Sequence, residues 1–145
     1  LDVRPNSRAV VPGEATLVVD IRNPEAQRID EVEKKIRAEI DSIAAASNVE
    51  VRVAQVLDIP VVEFDESCRE AVRRACRSLG LSSMPLISGA GHDAMSIARV
   101  APAALVFIPC RAGISHHPNE YSSPEQVAAG CNAILHAVLD RARPR

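Results

Sequence analysis

An α/β fold is what this sequence predicts, on three observations. Aliphatic and β-branched runs of strand length alternate with segments whose apolar residues recur every three or four positions. Pro60 separates a strand–helix–strand run from a second stretch in which short strands and helices alternate, which predicts two parts, 1–60 and 61–145. Two histidine-bearing turns follow the apolar runs of that second part: Ser88-Gly89-Ala90-Gly91-His92-Asp93-Ala94 and Gly113-Ile114-Ser115-His116-His117-Pro118. Polar groups on loops over a rigid scaffold converge on ligands, so these turns are the first place to look for a site.

Residues 1–13 carry Pro5, Asn6, Pro12 and Gly13 and read as irregular, with Pro12-Gly13 as a turn. Thr16 to Arg22 is rich in β-branched residues and predicts a strand. Asn23-Pro24 then predicts a helix start, since Asn caps and Pro suits the first helical position. Ile29, Val32, Ile36, Ile40 and Ile43 form one stripe to about Ala46, and Glu31, Lys34, Lys35, Arg37 and Glu39 give a solvated opposite face. Asn48 is the expected stop. Val49 to Leu57 begins with strict alternation and predicts a half-exposed strand.

A helix is expected from about Ser67 to Leu79, burying Cys68, Val72, Ala75, Cys76 and Leu79 and stopped by Gly80. Leu86-Ile87 is a short strand entering the first histidine turn, and Ala94 to Val100 a turn or two of helix. Ala104 to Ile108 is a buried strand leading to the second histidine turn. The last helix spans Pro124 to Ala142, with Val127, Cys131, Ile134, Leu135 and Val138 inward; a basic tail, Arg141 to Arg145, follows. This alternation implies a largely parallel sheet in the second part.

Composition excludes several classes of partner. With 47% hydrophobic and 25% charged residues and a formal net charge of -2, nothing points to nucleic acid or to an anionic membrane. Aromatic residues make up 2%, so base stacking has no platform. No apolar run approaches the ~20 residues of a membrane span. The start, Leu1-Asp2-Val3-Arg4-Pro5, has neither a signal peptide nor an initiator Met, so the chain is expected to be cut from something longer. Cys68, Cys76, Cys110 and Cys131 form no C-x-x-C pair; free thiols in a reducing cytoplasm are expected.

Each polar candidate has a functional and a plain reading. His116 can be a metal ligand, one of the three or four that a zinc-like ion needs, or a surface histidine at a turn. His117, next to it, points elsewhere if the chain is extended. His92 can hydrogen-bond a substrate carbonyl or an oxyanion, or bond Asp93 or backbone within its own turn. Asp93 reads as a helix-start residue, and His136, one position off the stripe of the last helix, as structural. Arg22 can hold a carboxylate bidentately or form a surface ion pair with Asp20 or Glu25.

Taken together, Pro5-Asn6, Val10-Val11-Pro12-Gly13, Asp20-Ile21-Arg22, Ser88 to Ala94, Phe107-Ile108-Pro109 and Gly113 to His116 stand in an order that resembles the hydantoinase/carbamoylase-type amidases. That group includes N-carbamoyl-L-amino-acid hydrolases, allantoate amidohydrolases and β-ureidopropionase-like enzymes of the M20 superfamily. The resemblance covers nearly the whole chain. It implies a zinc-exopeptidase-like α/β catalytic domain with an inserted α+β lid that makes a homodimer. Residues 1–60 would be the second half of the lid, and 61–145 the C-terminal part of the catalytic domain. It further implies two divalent metal ions, Zn or Mn, with His116 as the last ligand. His92 would contact the scissile carbamoyl or amide group, and Arg22 the carboxylate of a small-molecule substrate.

The sequence departs from the family at Ala9, where an Asn that helps hold substrate is usual, and at His117 and Asn119, where Ser and Glu are common. The remaining metal ligands and the catalytic Glu of the family have no counterpart among these residues. The expected function is therefore the C-terminal portion of a metal-dependent amidohydrolase acting on N-carbamoyl amino acids or ureido acids such as allantoate, inactive as the chain alone. Two other readings are an M20-type dipeptidase or aminoacylase, against which Gly-Ala-Gly-His-Asp-Ala argues, and a non-catalytic fragment that dimerises through its strand–helix–strand half.

Overall fold

A computed structural model describes residues 1–142; the last three residues of the basic tail lie outside the described residues. The chain divides into two compact units, Leu1–Val61 and the stretch from Val62 onward.

In the first unit, β1 (Asp2–Arg4) pairs antiparallel with β2 (Glu14–Thr16), in the register Asp2 with Thr16 and Arg4 with Glu14. The Pro12-Gly13 turn closes onto the pair, and Gly13 N–H donates to the Arg4 carbonyl at 2.9 Å. The helix α1 (Ala26–Ser47) follows. It starts later than Asn23-Pro24 predicts, because the Asn23 side chain accepts from Glu25 N–H at 2.8 Å and holds the chain in a turn. It stops where expected: Asn48 adopts the left-handed conformation at φ 52°, which Asn tolerates better than most residues. Ile29, Ile36 and Ile40 are half-buried, but Val32 and Ile43 are exposed, and α1 packs on no other described helix or strand.

The second unit is built on α2 (Glu66–Ser78) and α4 (Pro124–Ala142). Asp65 caps α2, its carboxylate accepting from Cys68 N–H at 2.8 Å and from the Ser67 hydroxyl. Gly80, at φ 67°, lets the chain turn away after the helix. Ala71 and Ala75 pack with Ala137 in the centre of the unit, with Val72 against them. At its edge Arg74 pairs with Asp140 at 2.6 Å, and Arg141 donates to the Ser67 hydroxyl at 2.8 Å. The short α3 (Asp93–Ala98) has Asp93 in its first turn, as expected.

Three expectations are corrected. The runs after Thr16, from Val49 to Leu57, at Leu86-Ile87 and from Ala104 to Ile108 form no strand; the only ladder among the described residues is β1–β2, and no parallel pair occurs. Strand-forming residues supply extended backbone, but a strand also needs a neighbour to take its N–H and C=O groups. Accordingly Leu17, Val18, Val51 and Ile87 are exposed.

The inward face of α4 is also not the predicted one. Val127, Cys131, Ile134, Leu135 and Val138 are exposed, while Gly130, Ala133 and Ala137 are buried. Small residues let two helix backbones approach closely, so the small-residue face meets α2 and the bulkier one does not. Gly130 on the same helix lies close to a different segment: a Cβ there would lie 2.4 Å from Ile108 Cγ2.

The third correction concerns single residues on these faces. His136 is exposed on α4. All four cysteines are free, but only Cys68 and Cys76 are buried; Cys110 is half-buried. Burial, with the Asp65 carboxylate beside it, pushes the Cys68 thiol above its usual value, which keeps it protonated and unreactive. No described helix is long and apolar enough to cross a membrane.

Candidate active site

The first histidine turn is closed by its own side chains. Ser88 Oγ lies 2.7 Å from His92 Nε2 and accepts from Ala90 N–H at 3.2 Å. The His92 ring meets Phe107 edge-on, with centroids 5.4 Å apart. His92 is thus half-buried, and it precedes α3 as its cap residue. Its partner in the turn is Ser88, not the Asp93 or backbone group that the plain reading supplied.

The second turn is held more elaborately. Arg111–Gly113 forms one 3₁₀ turn, and Arg111 N–H donates to the Tyr121 carbonyl at 2.7 Å while its guanidinium stacks 4.4 Å from the Tyr121 ring centre. The Ser122 hydroxyl donates to the Pro109 carbonyl at 2.8 Å. These contacts bring both ends of the loop together. Inside it, Ala112, Gly113 and His116 all have positive φ. His116, at φ 56°, is held there by its N–H, which donates to Glu120 Oε2 at 2.8 Å. A non-glycine residue in the left-handed region costs free energy, and such residues concentrate where a side chain must be aimed. The His116 imidazole itself is exposed. His117 is occupied locally: its Nδ1 accepts from Asn119 N–H at 3.1 Å.

Arg22 belongs to the first unit. It forms a forked pair with Asp20, Nε to Oδ1 at 2.9 Å and Nη2 to Oδ2 at 2.6 Å, while Glu25 pairs with Arg28. The pair lowers the Asp20 carboxyl and raises the Arg22 guanidinium from their ordinary values, in both cases chiefly through the side-chain hydrogen bonds. The fork is the geometry by which Arg22 can hold any carboxylate.

No three His, Cys, Asp or Glu side chains come together to hold a metal among the described residues. His92, Asp93 and His116 therefore form no metal site of their own, and the donor set present does not by itself fit one ion, let alone two. His116 offers a single imidazole.

Comparison with known proteins places the chain. The model of the peptidase family M20/M25/M40 matches residues 5–140. The chain belongs to this family. It is 42% identical over 138 residues to an N-carbamoyl-L-amino-acid amidohydrolase of Rhizobium meliloti, covering 95% of this chain and 33% of that protein. It is 31% identical over 134 residues to an allantoate amidohydrolase of Bacillus subtilis, covering 92% and 32%. Among solved structures, a hydantoinase/carbamoylase-family amidase from Burkholderia multivorans matches with a TM-score of 0.85 at 37% identity, over 99% of this chain and 35% of that one. The chain is thus homologous to hydantoinase/carbamoylase-type amidases, with a mixed α/β fold like theirs, and spans about a third of the length of the curated relatives it matches.

Sequence reasoning quoted Ser88 and Phe107 in its motifs without their contacts to His92, and it missed Arg111, Glu120 and Tyr121. Ser88 stands four residues before His92 and Glu120 four after His116, a spacing that a turn brings within hydrogen-bond reach. Arg111 and Tyr121 had no local signal, since they meet only once the loop has closed.

Proposed function

We propose that this M20-family chain supplies one wall of an amidohydrolase site and is not catalytic by itself. The observation that carries this reading is His116 in the left-handed region, its N–H bonded to Glu120 and its imidazole exposed, with no metal-holding cluster around it among the described residues. The breadth of the family match, with no metal-holding cluster among the described residues, supports the wider alternatives, an M20-type dipeptidase or aminoacylase or a non-catalytic dimerising fragment, better than it supports metal-dependent cleavage of N-carbamoyl amino acids or ureido acids in particular.

Within the larger enzyme, the chain would be a C-terminal portion of a carbamoylase-type amidase. The printed activities of its relatives, on N-carbamoyl-L-amino acids and on allantoate, support linear C–N bonds as the class cleaved. His116 would be one ligand of a divalent metal pair, Zn or Mn, which in such sites polarises a carbonyl and activates water. His92 would contact the carbonyl of the group being cleaved. Arg22 would exchange the Asp20 carboxylate for that of a small-molecule substrate. Residues 1–60 would form part of a lid that makes a homodimer, and 61–145 part of the catalytic domain.

The chain alone, given Mn²⁺ and either N-carbamoyl amino acids or allantoate, is expected to give no turnover above background. Turnover would overturn the one-wall reading. Light scattering on the same sample reads dimerisation, and a dimer would favour the lid assignment for residues 1–60.

A further inference from the structure

We infer that Ser88 is a positioning residue that fixes His92 in the neutral tautomer with its proton on Nδ1, leaving Nδ1–H as the group His92 presents to a ligand carbonyl. A neutral imidazole has one donor nitrogen and one acceptor, and whatever holds one of them decides the role of the other. In this turn the held atom is Nε2, 2.7 Å from Ser88 Oγ. That separation is an ordinary hydrogen-bond length for either direction of donation, so the other partners in the turn decide between them.

The rest of the turn favours donation by Ser88. Ala90 N–H already occupies one lone pair of Ser88 Oγ, so the hydroxyl accepts a hydrogen bond from the backbone and has its own proton to donate. Nε2 is the acceptor beside it. With O–H directed at Nε2, both the proton of Ser88 and the lone pair of Nε2 are satisfied. The reverse arrangement leaves the hydroxyl proton without a protein acceptor in the turn. Phe107, packed edge-on against the ring, restrains the imidazole from turning over to exchange its two nitrogens. Nδ1 has no hydrogen-bond partner among the described residues.

The consequence is a preference in ligand chemistry. An Nδ1–H donor accommodates a carbonyl oxygen or an oxyanion and opposes a ligand that itself presents an N–H at that point. This consequence rests on the proposed substrate-facing role of His92, but the tautomer does not, and the two can be tested apart.

The test is a long-range nitrogen–proton correlation spectrum of the isotopically labelled chain at about pH 9, well above the ordinary histidine value. The His92 signal is identified by its loss in His92→Asn. The native chain is expected to show His92 mainly as the Nδ1–H form. Ser88→Ala is expected to return it to the Nε2–H form that an unrestrained peptide imidazole prefers, and Ser88→Thr, which keeps the hydroxyl, to retain Nδ1–H. A native spectrum dominated by Nε2–H, or a Ser88→Ala spectrum identical to the native one, overturns the inference. Because no substrate or metal is present, neither result depends on the amidase reading.

Discussion

The helix of the first unit and the helices of the second obey the same local rules and end in different situations. α1 has a clean stripe of isoleucines and local ion pairs such as Arg37–Glu33, yet it buries no residue and meets no other described element. α2 has a stripe of smaller residues, Cys, Val and Ala, and it buries Cys68, Ala71, Ala75 and Cys76, with Ala137 of α4 packed against Ala71 and Ala75. The amphipathic pattern of a helix states that it has a face to cover. What covers it depends on the shape of another element, and close approach of two small-residue faces needs no large side chain. The second unit should therefore hold most of the native stability of this chain.

The largest test of that difference is to overfill the α2–α4 seam. Ala71 is 1% exposed, so Ala71→Leu has nowhere to place three further carbons. It should destabilise the second unit by about 1–3 kcal/mol. Ile43→Ala, on the exposed side of the α1 stripe, should change stability by no more than about 0.5 kcal/mol. Hydrogen exchange resolved by helix reads both, since local opening reports each helix separately. A substantial loss in Ile43→Ala would break the comparison, because it would mean that the α1 stripe is packed in solution, for instance against a second copy of the chain.

A smaller effect is expected at Gly130, where helix propensity and packing oppose each other. Alanine is the better helix former by roughly 1 kcal/mol. Its Cβ, however, would sit 2.4 Å from Ile108 Cγ2, far inside van der Waals contact. Gly130→Ala should therefore destabilise, and Ile108→Ala in the same chain should restore the helix gain by removing the methyl in the way. A double-mutant cycle by urea unfolding measures the coupling. Additive single effects would show that Ile108 can move aside at no cost and that α4 packs more loosely on the 104–108 segment than the glycine implies.

How much of this was legible in the sequence follows the same division. Helix positions were readable because their signals are local: Gly80 after α2, Asn48 after α1, and the span of α4 from Pro124 to Ala142 all stand where the sequence places them. The four expected strands were not, because pairing is a property of two segments, and residues such as Val18 and Val51 carry no information on whether the second is at hand. The choice of face on α4 failed for a related reason. Val127, Ile134 and Val138 are the more apolar residues, but Gly130, Ala133 and Ala137 are the buried ones, Ala137 against α2 and Gly130 against Ile108. In the candidate site, glycine and histidine marked both turns, whereas the Ser88–His92 contact, Glu120 and the Arg111–Tyr121 clasp emerged only from the folded backbone.

The smallest expected effects lie in two carboxylates, one in each unit, that are both held below the ordinary aspartate value for different reasons. Asp65 is held by the Ser67 hydroxyl first and by Cys68 N–H next, with the charge of Arg141 as a minor cause. Asp20 is held by its forked bond to Arg22. Both shifts are depressions, so any stability they confer is present above the unfolded aspartate value and is lost as pH falls through the lower, folded one. The two should part company on unfolding and in salt. Asp65 caps a helix that must fold for the bonds to exist, so its titration should rise to the ordinary value when the second unit is unfolded by Ala71→Leu or urea. Asp20 and Arg22 are two residues apart on an exposed segment, so their shift should survive unfolding of the second unit. It should shrink in 1 M salt, which screens exposed charges over about 3 Å. Carboxyl titration followed by NMR distinguishes the two. A salt-insensitive Asp20 would mean that its environment is not the open one of this chain, and that Arg22 is held for a ligand more firmly than a surface pair requires.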